Sequence, residues 1–105
     1  MEKIGLQTVS IPQLGLGSYL SKPGEVGSAI QWALDAGYRA FDTAFMYYNE
    51  AEIGVELNKW VKDGKGTRRD LFVTTKLPVF GMRPELVEEY CDRHVLMTLF
   101  IINLI

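Results

Sequence analysis

The chain has 105 residues, 48% of them hydrophobic, and a formal net charge of -2 at pH 7. This length suits one small domain rather than two, and the hydrophobic fraction argues against intrinsic disorder. The near balance of acidic and basic residues argues against a dedicated nucleic-acid surface, which needs clustered positive charge to displace counterions. We therefore expect one folded domain that does not bind nucleic acid.

The single cysteine, Cys91, cannot form an internal disulfide, which suits a reducing compartment. Glu88, Glu89 and Asp92 lie close to it in sequence, and because negative charge disfavours a thiolate, no catalytic role is expected. The start of the chain lacks a basic region followed by a long apolar core, so no secretory signal is predicted. The apolar segment 95–105 is too short for a bilayer, which takes about 20 residues. We expect a cytoplasmic protein without a membrane partner.

The first third of the chain predicts strands followed by one helix. Short apolar stretches over residues 3–17 predict a possible N-terminal hairpin, and residues 14–17 predict a short buried strand. Apolar residues then recur at helical spacing, and Gly37 supplies a left-handed stop. A helix is therefore predicted over residues 24–36, with Ser21 as the candidate cap.

The rest of the chain continues the alternation, with a strand at 38–42, a helix from Asn49 to Val61, a strand at 71–75 and a helix opened by Pro84. Asn49 is expected to cap the second helix with its side chain. Strands and helices that alternate through short connections predict a parallel sheet, since each right-handed crossover returns the chain in the same direction. Alternation alone leaves open whether the sheet is an open wound sheet or part of a closed barrel.

The open alternative makes one prediction that the sequence can test. Residues 15–20 begin like a dinucleotide-binding fingerprint, but Leu20 stands where the third glycine belongs. No helix is predicted to begin directly after this loop, so a pyrophosphate would lack a helix N-terminus. We therefore reject a Rossmann fold. The last segment, residues 95–105, is almost wholly apolar and predicts a buried strand where a sheet receives it.

Residues suited to proton transfer stand at the ends of two predicted strands. Asp42 ends one strand and Lys76 follows the next, and active sites of βα series are built where strands end. A carboxylate and an ammonium that are both removed from solvent are expected to form an ion pair, because either charge alone would be costly to desolvate. Tyr47 lies on the loop after Asp42, and a cation beside a phenol favours the phenolate, which would make Tyr47 a general acid.

The alternative for each of these residues is structural. Asp42 and Thr43 would form a loop-capping pair, Tyr47 would be a packing residue, and Lys76 would be a solvated strand end. Spacing alone leaves both interpretations open.

Longer stretches resemble the N-terminal third of an aldo-keto reductase. They occur in order and closely spaced, at residues 11–18, 23–26, 33–44, 48–54, 69–77 and 83–88. The resemblance implies an α/β fold, namely a partial (β/α)8 TIM barrel of about three βα units. Residues 1–105 would be the N-terminal part of the reductase domain, with 91–105 as a divergent apolar tail. The implied reaction is NADPH-dependent reduction of aldehydes and ketones to alcohols.

The resemblance also implies roles for particular residues. Of a catalytic Asp, Tyr, Lys and His, the first three fall on Asp42, Tyr47 and Lys76. Tyr47 would protonate the carbonyl oxygen, and Lys76, oriented by Asp42, would keep that proton labile. The residues expected beside NADPH or NADP+ are Gly17, Ser18, Tyr19 and Asp42, and those expected beside a small carbonyl substrate are Tyr19, Met46 and Tyr47. No metal is implied.

The sequence departs from the family pattern at several positions. Ser18 and Tyr19 replace a usual Thr-Trp pair, and Pro78 stands where many members carry a tryptophan, which predicts a different pocket wall. The helical pattern ends at residues 91–94, and His94 comes too soon after Lys76 to match the family's histidine. One alignment places Asn103 there instead; a tail from altered splicing, frame or gene prediction is the simpler explanation.

We therefore expect an NADP-dependent oxidoreductase by family, with little or no activity in this chain alone. Hydride transfer needs the cofactor held firmly against the substrate. One alternative is a non-catalytic protein that associates with itself or a homologue through exposed strand edges. The other is a partial gene model that has no function of its own.

Overall fold

The computed structural model describes residues 10–98 and 103–104, with side chains for residues 10–92. Within these residues the order is β1 (Gly15–Gly17), α1 (Glu25–Asp35), β2 (Ala40–Asp42), α2 (Glu50–Lys62), β3 (Phe72–Thr75), α3 (Pro84–Thr98) and β4 (Asn103–Leu104). The strands form one parallel sheet in the order β1-β2-β3-β4. The predicted parallel βα sheet is therefore confirmed. Of the described helices, none has the length and apolar character needed to cross a membrane.

Successive side chains of a strand point to opposite faces of the sheet, and in the described residues one face packs against helices. Phe41 and Val73, which are paired in the register, are 2% and 1% exposed and pack in the same cluster as helix residues. The helices contribute apolar stripes to this cluster, with Val26, Ile30, Ala33 and Leu34 from α1 and Ile53, Leu57 and Trp60 from α2. Fully burying one such side chain contributes about 1.5–3 kcal/mol to folding, so this layer is the core.

Helix α1 ends as predicted but begins differently. Gly37 has φ 98°, and the N–H groups of Gly37 and Tyr38 donate to the carbonyls of Leu34 and Ala33, which forms a Schellman motif. The predicted cap Ser21 is wrong, because Gly24 occupies the cap position.

The free N–H groups at the start of α1 are satisfied from another helix. Gly24 donates to both carboxylate oxygens of Glu52 at 2.9 and 3.1 Å, and Gly27 donates to Oε2 at 2.6 Å. A carboxylate suits this end of the helix dipole. Helix α2 therefore caps α1, a contact that no local sequence pattern predicts.

One prediction about a strand was wrong, and another lies outside the described residues. Residues 14–17 were expected to form a buried strand, yet Leu14 is 67% exposed and only Leu16 of β1 packs on the core. The reason is that, within the described residues, β1 is the first strand in the sheet order and pairs with one strand, β2. The predicted hairpin falls almost wholly in residues 1–9, outside the described residues.

The end of the chain also differs from expectation. The helical pattern was predicted to end at residues 91–94, but α3 continues to Thr98. Of the predicted buried strand at 95–105, only Asn103–Leu104 is described as strand, and it pairs with β3. The described helix therefore runs past the residues at which the sequence pattern was expected to end.

Candidate active site

The candidate site lies where β2 and β3 end. Asp42 is the last residue of β2, and Lys76 directly follows β3. Backbone hydrogen bonds extend the pairing beyond both strands, from Thr43 N to Thr74 O at 2.8 Å and from Phe45 N to Lys76 O at 3.2 Å. The loop after β2 is therefore joined to the segment that carries Lys76, which brings the predicted residues to one edge of the sheet.

The ammonium group of Lys76 is held by acceptors from three residues. Its Nζ donates to Asp42 Oδ1 and Oδ2 at 2.9 and 3.0 Å, to the carbonyl of Thr43 at 3.1 Å, and to the hydroxyl oxygen of Tyr47 at 3.3 Å. An ammonium has three N–H donors, so these partners match its full capacity. The predicted convergence of Asp42, Tyr47 and Lys76 is present in this geometry.

The charge of Lys76 is maintained by its neighbours. Partial burial lowers the pKa of Lys76, but its hydrogen bonds and attractions to Asp42 and Tyr47 outweigh burial and raise the pKa above its ordinary value of 10.5. The Lys76 and Asp42 side chains are 46% and 48% exposed. Ion pairs this exposed contribute about 0–1 kcal/mol to stability, so the pair serves to place charge rather than to stabilise the fold.

Tyr47 is presented by a tight turn. It is the last residue of a single turn of 3-10 helix, Phe45–Tyr47, and the next residue, Tyr48, has φ 57°. A left-handed conformation outside glycine costs roughly 1–3 kcal/mol, and here it redirects the chain into α2. Met46 lies on the same turn, is 43% exposed, and its sulfur accepts a hydrogen bond from the Tyr48 hydroxyl at 3.6 Å.

The residues predicted beside a cofactor lie at the end of β1. Gly17 pairs with Asp42 in the register, and Ser18 donates to the carbonyl of Asp42 from both its N–H (3.1 Å) and its hydroxyl (2.8 Å). Ser18 is only 2% exposed, so its hydroxyl is committed to the protein. Tyr19 is 65% exposed, and its ring centroid lies 5.2 Å from that of Tyr47.

Residues 13–97 match the family described as the aldo/keto reductase family. The chain belongs to this family. Among curated proteins it is 46% identical over 84 residues to aldo-keto reductase family 1 member A1-A of Danio rerio, and 49% identical over 79 residues to member A1 of Mus musculus. These matches cover 79% and 74% of this chain, but 26% and 24% of the relatives. The chain therefore spans about a quarter of the length of these relatives.

Solved aldose reductases share the fold. The enzyme of Schistosoma japonicum superposes with a TM-score of 0.84 at 42% identity, over 88% of this chain and 31% of that chain. The aldose reductase of Giardia lamblia gives a TM-score of 0.81 at 37% identity, over 85% and 30% of the two chains. The α/β expectation of a partial (β/α)8 barrel is confirmed.

One residue near the candidate site has a different role from the one predicted. Asn49 occupies the cap position of α2, but its side chain does not cap that helix. Its Nδ2 donates instead to the carbonyls of Ser18 at 2.9 Å and Ser21 at 3.5 Å. An asparagine before an acidic helix start gives the same sequence signal in both cases, so only the tertiary structure distinguishes them.

Further contacts near the site had no sequence signal. The carbonyl of Thr43, which accepts from Lys76, is a backbone atom and carries no residue preference. Glu50 is fully buried, and Thr75, also buried and directly before Lys76, donates its hydroxyl to Glu50 Oε2 at 2.6 Å. An acidic residue at a helix start interacts favourably with the helix dipole, so the sequence alone gives no sign that Glu50 is buried.

Asn103 takes a defined position in the register. Pairing of β2 with β3 and of β3 with β4 places Asp42, Thr74 and Asn103 in one row across the sheet. Asn103 therefore lies level with Asp42. Its assignment to the position of the family's histidine stays a prediction, as do the roles of Gly17, Ser18, Tyr19 and Met46 toward ligands. Among the residues with described side chains, no group of three or more His, Cys, Asp or Glu could hold a metal ion.

Proposed function

We propose that this chain carries the proton-donating part of an NADPH-dependent aldo/keto reductase site, with aldehydes or ketones as substrates. The observation that carries the proposal is the position of Lys76 Nζ, 2.9 Å from the Asp42 carboxylate and 3.3 Å from the Tyr47 hydroxyl. A phenol that accepts a hydrogen bond from an ammonium keeps its own O–H free to point toward a substrate. Tyr47 is the proposed general acid.

The three residues divide the proton chemistry between them. Tyr47 donates its hydroxyl proton to the carbonyl oxygen, which becomes the alcohol. The phenolate left on Tyr47 is stabilised by the adjacent ammonium of Lys76. Asp42 and the Thr43 carbonyl hold that ammonium in place and keep it charged, consistent with the raised pKa of Lys76. General acids positioned in this way contribute about 10²–10⁴-fold to rate.

The end of β1 fits a nicotinamide group. A Cβ added at Gly17 would meet nothing within 4 Å, so the strand end beside Asp42 is open, and Tyr19 offers an exposed aromatic ring. We propose Gly17, Ser18, Tyr19 and Asp42 as the residues at the cofactor end, with the buried Ser18 contributing by fixing the end of β1 against Asp42. When bound, NADPH supplies the hydride. Tyr19, Met46 and Tyr47 would contact the substrate.

We propose that the chain by itself has little or no activity. The Asp42 and Lys76 side chains are about half exposed, at 48% and 46%. A solvated site weakens the electrostatic interactions that catalysis uses, since water screens the charges. Tyr19 and Met46 are likewise open to solvent, so the described residues do not enclose a small carbonyl compound.

The experiment replaces the matching segment of the full-length Danio rerio relative with residues 13–90 of this chain. NADPH oxidation is followed at saturating benzaldehyde. We expect turnover by the chimera, a fall of about 10²–10⁴-fold in kcat for Tyr47→Phe, and little change for the control Tyr48→Phe, whose hydroxyl contacts Met46 rather than Lys76. The purified 105-residue chain is assayed beside it and is expected to show no turnover.

Each result bears on a separate part of the proposal. A folded chimera in which Tyr47→Phe turns over like the parent would remove Tyr47 as the acid. Carbonyl reduction by the isolated 105-residue monomer would contradict the proposed inactivity.

A second candidate is a non-catalytic protein that associates with another copy of itself. Within the described residues, β1 and β4 each pair with a single strand, and such edges are templates for further pairing. All four strands are parallel, so a two-fold axis along the strand direction would preserve that orientation while joining β4 of one copy to β1 of the other. Light scattering after size-exclusion chromatography tests this. A stable dimer without turnover favours it; a monomer at all concentrations excludes it.

We propose the cytosol as the compartment, because a free thiol such as that of Cys91 suits reducing conditions. Small carbonyl compounds, rather than nucleic acids or membranes, are the proposed ligands. The near-neutral charge of -2 supports this choice over nucleic acid.

A further inference from the structure

Two loops meet beside the candidate acid, and one side chain connects them. The loop after β1 carries Tyr19, and the loop after β2 carries Tyr47. We propose that Asn49 is a positioning residue that holds the first loop so that the Tyr19 ring stays against the Tyr47 ring. This inference rests on the proposed function, in which Tyr19 contacts both cofactor and substrate.

The contacts of Asn49 point away from its own helix. The residue is 7% exposed and sits at the cap position of α2 without a side-chain capping bond. Its Nδ2 reaches back across more than two dozen residues of sequence to the carbonyl of Ser18 at 2.9 Å and, more weakly, to that of Ser21 at 3.5 Å. These two carbonyls flank Tyr19 and Leu20, so the amide is hydrogen-bonded to the loop on both sides of these two residues.

Only the donor half of the amide makes this contact. Among the described residues, Asn49 Oδ1 is buried without a hydrogen-bond partner. Buried polar atoms without partners are uncommon in folded proteins, and here the orientation is set by two carbonyls that can only accept. The side chain must therefore be a donor, a requirement that aspartate of the same shape fails.

Hydrogen bonds also join the loop after β1 to Asp42, the last residue of β2. Ser18 donates from its N–H and hydroxyl to the carbonyl of Asp42. A continuous set of hydrogen bonds thus runs from Asn49 through Ser18 to the end of β2. Asn49 restrains the loop from the side of α2, and Asp42 restrains it from the sheet.

The backbone between these ties is unusual. Leu20, in the gripped loop, has φ 60°, and Tyr48, directly before Asn49, has φ 57°. Left-handed residues other than glycine persist where the surrounding structure imposes them, and they cluster at functional sites. Through its bonds to the Ser18 and Ser21 carbonyls, the Asn49 amide connects the two loops that contain these positions. Releasing it would let the Tyr19 loop relax, because Tyr19 and Leu20 are themselves 65% and 77% exposed.

The experiment measures the two rings directly in the 105-residue chain and needs no turnover. Proton NOEs between the Tyr19 and Tyr47 rings are recorded by NMR with only the tyrosine rings protonated, and the signals are assigned with Tyr19→Phe and Tyr47→Phe. We expect the NOE in the parent chain and its loss in Asn49→Asp. The matched control is Asn58→Asp, which removes an amide bond to the Gly54 carbonyl (2.8 Å) in the same helix. This control is expected to retain the NOE even where it lowers the melting temperature.

A second variant protects the test from a folding failure. Asn49→Ser introduces no charge, but its side chain is too short to donate to the Ser18 and Ser21 carbonyls. Serine is itself a favourable helix cap. Loss of the NOE in either folded Asn49 variant, with retention in the Asn58 control, supports the proposal. Retention of the NOE in a folded Asn49 variant overturns it.

The parent chain supplies an independent measurement. The side-chain amide protons of Asn49 are expected to exchange slowly with solvent, because both carbonyl contacts and burial protect them. Rapid exchange, or absence of the ring NOE in the parent, overturns the proposal without any variant. Because none of these readouts depends on NADPH, a chimera that proves inactive would count against the proposed function while leaving this inference to be decided by NMR.

Discussion

The helix-covered face of the sheet and the edge where its strands end differ in how far their side chains are buried. On the helix side, Phe41 and Val73 are almost fully buried beneath α1 and α2. At the strand ends, Asp42 and Lys76 retain nearly half of their side-chain exposure while making short polar contacts. Residues adjacent in sequence, such as Phe41 and Asp42, thus serve different purposes. Stability resides in the helix-covered layer, and the site can change with little effect on folding.

The largest expected effect comes from the helix-covered layer. Leu57 has no exposed surface and packs in the core cluster. Leu57→Ala should lower the free energy of unfolding by about 2–5 kcal/mol, because it loses apolar burial and leaves a cavity. Urea denaturation followed by circular dichroism measures this. The control Val55→Ala, on the same helix but 59% exposed, should stay within about 0.5 kcal/mol. Equal losses in both variants would show that α2 does not bury the face described.

The next largest difference between the two regions is expected when a glycine is replaced by alanine. A Cβ at Gly66 would overlap the indole ring of Trp60, and because Trp60 is only 6% exposed, its ring has little room to move. Gly66→Ala should therefore cost about 1–3 kcal/mol. At the site, Gly17→Ala would meet nothing within 4 Å and should change stability by no more than about 0.5 kcal/mol. Thermal denaturation of both variants measures this difference. A larger loss of stability in Gly17→Ala than in Gly66→Ala would contradict it.

A moderate effect is expected where α2 caps α1. Glu52→Gln keeps the shape of the side chain but removes the charge that faces the N–H groups of Gly24 and Gly27. The expected loss is about 0.5–2 kcal/mol, measured by urea denaturation at low salt. Glu56→Gln is the matched control, since Glu56 accepts from Gln31 at an exposed position. A Glu52 variant as stable as this control would mean that the cap contributes nothing.

The smallest effect is expected at the site itself. The pKa of Lys76 is raised in the folded chain, so the ammonium's contribution is fully present below its unfolded pKa, about 10.4, and is lost as pH rises through the raised value. Lys76→Met should therefore cost less than about 1 kcal/mol at pH 7 and should flatten the decline in stability above the ordinary pKa of lysine. Denaturation curves from neutral to alkaline pH measure this.

The control for that pH series is Lys59→Met, which removes an exposed ammonium from α2. It should leave the alkaline decline unchanged. A Lys76→Met curve parallel to the parent at all pH values would contradict the coupling of Lys76 to Asp42.

The helical spacing and the alternation of strands and helices were predictable because they follow from local chemistry. The stop at Gly37 needs only a residue that tolerates positive φ, and the apolar repeat of α1 needs only its own sequence. Asp42 and Lys76 could be brought together in advance because parallel strands end at the same edge. Tyr47 was added by its place on the loop and by the family resemblance.

Other features depended on contacts between distant segments. Leu14 looked like part of a buried strand, but β1 lies at the edge of the described sheet and leaves it exposed. Asn49 and Glu52 carried ordinary helix-start signals, yet each bonds to a segment more than twenty residues away. The sequence pattern was expected to end at residues 91–94, although the described helix runs to Thr98.

The sequence by itself determined the alternation of strands and helices, the family, and the carboxylate, phenol and ammonium at the strand ends. These depend on periodicity and on residue identity, which the chain carries locally. Only the tertiary structure decided that Lys76 meets acceptors from three residues at once, that α2 caps α1 through Glu52, and that Asn49 grips the loop of Tyr19. The physical reason is that a hydrogen bond requires two groups within about 3 Å, and for groups far apart in sequence that distance is set by the packing of whole elements.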